Sequence, residues 1–190
     1  ARRLGLPDQA DFALEELVAC GVLPADVEPA PVRAGLAGGF GAAAAAEARE
    51  TPRAFPREDL TGVFTVAVDD ADTREVDDAV SLREVDGGLE LLVHVADVAA
   101  AVPAGGALDA ALRARASSLY LPDRTVYMLP EDLATARLPL ATGEPRSAVT
   151  AFLRIAADGT LAAARFARTL VTLDRRVTYD ESRDAARLGA

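Results

Sequence analysis

Lysine is absent from this chain of 190 residues: all 20 basic positions are arginine. Beside so much alanine, this reads as coding bias rather than function. There is one cysteine, Cys20, which excludes an internal disulfide and any zinc cluster built on cysteines. A lone thiol fits a reducing compartment, and a cytoplasmic location is the expectation. There is one histidine, His94. A mechanism built on a histidine pair is therefore excluded within the chain, and acid–base work would fall to metal-bound water. A long hydrophobic run is missing too. The segment from Gly35 to Ala46 is short, interrupted by glycine and flanked by Arg33 and Glu47, so it cannot span a bilayer. No signal peptide is visible, and Ala1 is not a natural start, so a missing N-terminal part is expected.

What is present is acid. The formal net charge is −10. That argues against a broad phosphate-binding surface, which needs basic residues. It leaves room for a local carboxylate cluster whose charge is offset by bound divalent ions. With 51% apolar and 26% charged residues, the chain can bury the core of one domain, with or without a small appendage.

Apolar spacing predicts a helix over residues 8–21, with Ala10, Ala13, Leu14, Leu17 and Val18 on one face, Gly21 at the stop and Cys20 in the core. Residues 22–32 hold three prolines and read as a connector; the alanine-rich residues 33–49 read as a second helix. The prolines of 51–57 mark a linker. Beyond it, 63–68 is a β-branched run ending in acids and reads as a strand. Residues 79–85 and 89–95 flank Asp86-Gly87-Gly88 as a hairpin; 148–156 and 161–173 flank residues 157–160 as another. Residues 108–119 read as a helix, and a further helix starts at Tyr179.

The most informative segment is Asp69-Asp70-Ala71-Asp72-Thr73-Arg74-Glu75-Val76-Asp77-Asp78, directly after a strand. Carboxylates so close repel one another, and a fold keeps them together only where water or cations screen them. Mg²⁺ is held by a few carboxylates together with waters and phosphates. A calcium loop of the EF-hand kind fails, because a start at Asp70 puts Arg74 fifth and Glu75 sixth. An Asp-x-Glu pair fails because Ala71 stands two residues after Asp69. A solvated acidic turn remains the plain alternative.

The run from Phe64 to Asp69, followed by Glu75-x-Asp77-Asp78-Ala79, resembles the first active-site motif of the ribonuclease II/ribonuclease R (RNB) family. The resemblance continues through Val93-His94-Val95-Ala96-Asp97-Val98, Ser118-Leu119-Tyr120-Leu121-Pro122, Met128-Leu129-Pro130 and Val177-Thr178-Tyr179-Asp180. It covers roughly residues 57–187. One departure is local: Glu75 stands where the family normally has aspartate. The other is length, since the family's later arginine and glutamate contributions have no counterpart here.

The resemblance implies a mixed α+β domain of antiparallel strands and hairpins with covering helices. This would be the N-terminal part of an RNB-type catalytic domain (58–190), after a helical segment (1–50) and the linker. It implies a 3′→5′ exoribonuclease, working on single-stranded RNA to release 5′-mononucleotides, with one or two Mg²⁺ ions or Mn²⁺ in their place. Asp69, Asp77 and Asp78 would hold metal or orient water, with Glu75 in the fourth acidic role. Tyr120 would stack on or clamp the terminal nucleotides and Tyr179 would sit near the terminal ribose; aromatic stacking contributes ~1–3 kcal/mol per base. A monomer is favoured. The alternatives are a non-catalytic RNA-binding member of the family, or a structural domain with a solvated acidic loop. His94 is expected to be structural and Tyr127 to be packing, while Arg113 and Arg115 are minor candidates for phosphate contact.

Overall fold

A computed structural model describes residues 10–23, 25, 39–121 and 124–188. Helix α1 spans Ala10–Ala19, and Gly21 follows with φ +70, the left-handed conformation that ends helices. The burial expected of Leu17 and Cys20 is not found. Leu17 and Cys20 are exposed, because no described element packs over them. Most of the expected connector and residues 33–38 of the expected second helix lie outside the described residues. Helix α2 is shorter than expected, Ala42–Glu47.

The rest is a sheet curled so that Leu60 near one edge and Ala67 near the other share one core, together with several helices. Strands β1 (Glu58–Asp59), β2 (Val66–Asp69), β3 (Asp78–Val85) and β4 (Gly88–Ala96) come first. Helices α3 (Val98–Ala101) and α4 (Ala107–Arg115) follow. Strands β5 (Leu119–Tyr120) and β6 (Thr125–Val126) form a separate hairpin. A π-helical turn over Leu133–Arg137 leads to β7 (Arg146–Ala156), β8 (Leu161–Val171), β9 (Arg175–Thr178) and helix α5 (Tyr179–Leu188). The seven-stranded sheet has the order β1-β8-β7-β4-β3-β2-β9. Its centre is antiparallel, while both edge pairings, β1 with β8 and β2 with β9, are parallel.

Both expected hairpins are present. Gly87 takes φ +80 in the first turn and Gly159 φ +84 in the second. Gly88 must be glycine for another reason: a Cβ there would meet the Ile155 carbonyl at 2.0 Å. Strand β2 starts later than its β-branched run suggests, because the Thr65 N–H is taken by the Asp174 carboxylate at 2.9 Å. The helix expected over 108–119 is cut short. Ala116 turns left-handed at φ 63, so Leu119 and Tyr120 join a strand instead.

Two cores hold these parts. One lies inside the curl, around Ala79, Leu92, Phe152 and Val171. The other joins α2, α4 and the π-helical turn through Ala44, Leu108, Leu112 and Leu133. Glu47 closes the second core by accepting the Ala107 and Leu108 N–H groups at 2.9 and 2.8 Å, which caps α4. The other face of the sheet presents Val80, Leu82, Val95, Val149 and Phe166 to solvent. The central strands are thus apolar on both sides. Residues 51–57 form no helix or strand, but Arg57 is pinned to Asp97 at 2.6 Å with both side chains buried. Removing one partner of such a buried pair generally costs about 3–5 kcal/mol.

Inside the curl a hydrogen-bonded chain of side chains crosses the sheet. Thr65, Ser81, His94, Thr150 and Thr169, all buried, are linked by contacts of 2.7–2.9 Å. A carbonyl stands at each end of the chain: Val63 accepts from the Thr65 hydroxyl at 2.8 Å and Ala148 from that of Thr169 at 3.4 Å, and the shorter bond sets the direction. Thr169 donates to Thr150, Thr150 to His94 Nδ1, His94 Nε2–H to Ser81, and Ser81 to Thr65. His94 is therefore structural, and neutral, with the proton on Nε2. Burial lowers its pKa from 6.5 to about 4.

The unfolded chain takes up this proton first as pH falls. The contribution of His94 to stability is therefore complete above pH 6.5 and is lost as pH falls toward 4, by up to about 3 kcal/mol. Nitrogen-15 spectra should show one neutral imidazole, protonated at Nε2, that does not titrate above pH 5. An Nδ1–H tautomer or a midpoint near 6.5 would contradict this chain.

Candidate metal and RNA site

The acidic segment is the connection between β2 and β3. Asp69 closes β2 and Asp78 opens β3. Between them Val76 is buried in the inner core, while Glu75 and Asp77 on either side line open cavities. The backbone around Val76 is tied on both sides: the Val76 carbonyl accepts the Leu140 N–H, and the Asp77 carbonyl accepts the Ala96 N–H, each at 2.8 Å. Arg176 of β9 donates to the Asp70 carbonyl at 2.7 Å and to that of Thr73. Arg74 reaches Glu131 and Thr135. The loop is thus held by its backbone and by arginines, which bind its carbonyls or groups outside it and not its carboxylates.

One open cavity of about 370 Å³ is lined by Asp69, Glu75, Asp77, Asp78, Tyr120 and Tyr179, with Val68, Asp70 and Thr73. All six residues singled out from the sequence therefore meet there. They come from three segments: the acidic loop, the β5–β6 hairpin and the start of α5. Parallel pairing of β2 with β9 sets Asp69 beside Thr178, and this delivers Tyr179. Thr178 and Glu181 form a reciprocal cap at that helix start, and the N–H and hydroxyl of Thr178 hold the Glu181 carboxyl below its usual pKa.

The electrostatics are those of crowded carboxylates. Burial raises the pKa of Asp78 above 3.8, and the charges of Asp77 and Asp69 raise it further. Burial also raises Glu75 above 4.5, against hydrogen bonds from Tyr120 and Ser118 that lower it. Those bonds occupy both Glu75 oxygens: Ser118 donates to Oε1 at 3.3 Å and the Tyr120 hydroxyl to Oε2 at 3.0 Å. Burial and Glu75 push the Tyr120 hydroxyl up to about 12, so it stays a donor. Asp69 Oδ1 accepts from the Asp70 N–H and the Thr73 hydroxyl at 2.8 and 2.7 Å.

Several of these partners escape sequence reasoning. Thr73 and Ser118 lie inside quoted segments, the acidic loop and the run 118–122, but neither was given a role, and Arg176 is distant in sequence. Tyr127 is half-buried and lines a neighbouring cavity, where packing was expected. Arg113 pairs with Asp109 and Arg115 lies over the Phe40 ring at 4.1 Å; neither lines the carboxylate cavity.

Among the described residues, no three His, Cys, Asp or Glu side chains converge tightly enough to hold an ion by themselves. The donor set still fits Mg²⁺. It is all oxygen, its like charges disfavour one another, and Mg²⁺ takes only a few carboxylates and completes its shell with waters and phosphate.

Four carboxylates and two tyrosines thus line one cavity beside the sheet, and known proteins share this arrangement of strands. Residues 57–188 match the RNB domain, and the chain belongs to that family. Exoribonuclease 2 of Aeromonas hydrophila is 39% identical over 136 residues, 71% of this chain and 20% of the relative. The chain thus spans about a fifth of that protein's length. Two solved structures share the fold. The apo form of Mycoplasma genitalium RNase R has a TM-score of 0.66 at 22% identity, covering 96% of this chain and 28% of that one. Yeast Ssd1, described as a pseudonuclease, has a TM-score of 0.65 at 18% identity, covering 74% and 18%.

The raised carboxylates give a test that needs no activity. A raised carboxyl pKa means the folded state holds its proton more tightly than the unfolded state. The stability contributions of Asp78 and Glu75 therefore decline as pH rises through their raised values, starting from 3.8 and 4.5. In metal-free buffer at neutral pH, Asp78→Asn should raise the melting temperature, and added Mg²⁺ should raise that of the wild type more than that of the variant. Equal Mg²⁺ responses would contradict the metal reading.

Proposed function

We propose that this chain carries the acidic centre of a divalent-metal-dependent 3′→5′ exoribonuclease that hydrolyses single-stranded RNA to 5′-mononucleotides. The observation behind the proposal is that the four motif acids and the two tyrosines share one cavity, in a chain of the RNB family. The relatives' names support the reaction class: the Aeromonas protein is an exoribonuclease, and the Mycoplasma RNase R has been solved with ribose-methylated single-stranded RNA.

Asp69, Asp77 and Asp78, with Glu75, would hold one or two Mg²⁺ ions, with Mn²⁺ as a substitute. When bound, the metal supplies Lewis-acid stabilisation of the phosphodiester and a more acidic water. The chain's own residues do the rest. Thr73 and the Asp70 N–H orient the Asp69 carboxylate. Glu75 fixes the Tyr120 hydroxyl, leaving a largely exposed ring face for a base. Tyr179, half exposed beside Asp69, faces the position proposed for the terminal ribose. A cytoplasmic monomer is part of the same proposal.

One observation favours a second reading, a non-catalytic RNA-binding protein. Glu75 replaces the usual aspartate, and both its oxygens already accept hydrogen bonds. The full-length protein decides between the two. The wild type should release mononucleotides with Mg²⁺, and Asp78→Asn should lose at least ~10²-fold in rate while still binding RNA. Near-wild-type turnover in Asp78→Asn would remove the metal-site reading. No release from the wild type, with release restored by Glu75→Asp, would establish the non-catalytic one.

A second expectation is preference for RNA over DNA, since the 2′-hydroxyl distinguishes them and Tyr179, in the same cavity as the acids, is proposed to sit near the terminal ribose. Equal degradation of matched RNA and DNA strands would count against it.

A further inference from the structure

A second open cavity, of about 590 Å³, shares Glu75 and Tyr120 with the carboxylate cavity and is lined beyond them by Thr125 and Tyr127. Its size falls within the range of about 300–1,000 Å³ usual for small-ligand sites. We propose that it is a nucleobase subsite for an upstream residue of the bound strand, with Tyr127 as its stacking wall. The proposal rests on the RNA-degrading reading above and extends it to a residue outside the acidic motif.

The hairpin explains how two rings reach one cavity. Tyr120 pairs with Thr125, so both lie on the same face. Tyr127 follows directly on the end of β6 and lines the same cavity. The Tyr120 hydroxyl is held by Glu75 at 3.0 Å, so its ring is fixed before any ligand arrives and little rotamer freedom is lost on binding.

Charge identifies the occupant. Asp70, Asp72, Glu75 and Glu131 line this cavity with two arginines, Arg124 and Arg74, the latter bridged to Glu131 at 3.3 Å. The four carboxylates outnumber the two arginines, so a phosphate would enter against a net negative lining. A neutral base would not be, and its exocyclic amino groups can donate to those carboxylates. Stacking on tyrosine accepts any base, as a non-specific exonuclease requires. A strand whose 3′ end lies among Asp69, Asp77 and Asp78 would pass Tyr120 and set an upstream base against Tyr127.

The test measures binding of single-stranded oligoadenylates of increasing length to the full-length protein, with Asp78→Asn as the background that prevents cleavage. Affinity should rise in a step once the strand is long enough to reach Tyr127. Tyr127→Leu, which keeps apolar bulk without a ring face, should abolish that step and weaken long strands about fivefold or more, with short strands unaffected. Tyr127→Phe should restore the step. Loss of affinity at every length, or a step that survives Tyr127→Leu, would overturn the subsite while leaving the nuclease reading in place. Failure of the Asp78→Asn background to bind RNA of any length would overturn both.

Discussion

The burial of Val76 is the constraint on which the site depends. It is a core residue inside a run of acids, so the connection between β2 and β3 cannot lift away from the sheet to separate its charges. The chain must place Glu75 and Asp77 on either side of that anchor, at the cavity where Asp69 and Asp78 already stand at strand ends. Like charges held this way are costly without a counter-charge. Arg176 and Arg74 supply part of it through the loop backbone and Glu131, but they do not neutralise the carboxylates themselves. Under the proposed function, a hard cation supplies the remaining counter-charge.

Glu75 ties this anchor to the rest of the candidate RNA path. Its extra methylene carries the carboxylate to Ser118 and Tyr120, where a shorter aspartate would fall short by roughly one bond length, a scale at which catalytic geometry is sensitive. The Ser118 hydroxyl also accepts the Met128 N–H at 2.9 Å. Glu75 therefore joins the acidic loop to the β5–β6 hairpin. Tyr120 is fixed as a wall between two cavities, and the hairpin becomes part of the site.

Much of this was legible in the sequence, for a physical reason in each case. The two long hairpins were readable because aspartate and glycine mark tight turns and because their long strands carry β-branched residues. The acidic loop stood out because six carboxylates follow a strand, and the family resemblance, not composition, set it apart from a solvated turn. The parallel edge pairings were not readable, since they join segments over a hundred residues apart and depend on the sheet curling. The β5–β6 hairpin was hidden because apolar spacing ran on past Ala116, where a single left-handed residue ends the helix. Cys20 looked like core because α1 is amphipathic, yet amphipathicity does not say whether anything covers the apolar face. Thr73, Ser118 and Arg176 gave little signal, because their roles are defined by neighbours and not by spacing.

The central claim is that these four acids form a cation and phosphate site. The most direct test is anomalous diffraction from crystals of the full-length protein grown with Mn²⁺ and a single-stranded RNA carrying a non-hydrolysable terminal linkage. The account predicts a manganese peak within coordination distance of at least two of Asp69, Asp77 and Asp78, with a phosphate oxygen of the RNA in the same shell. RNA bound elsewhere, or seated in the cavity with no metal at these carboxylates, would contradict it.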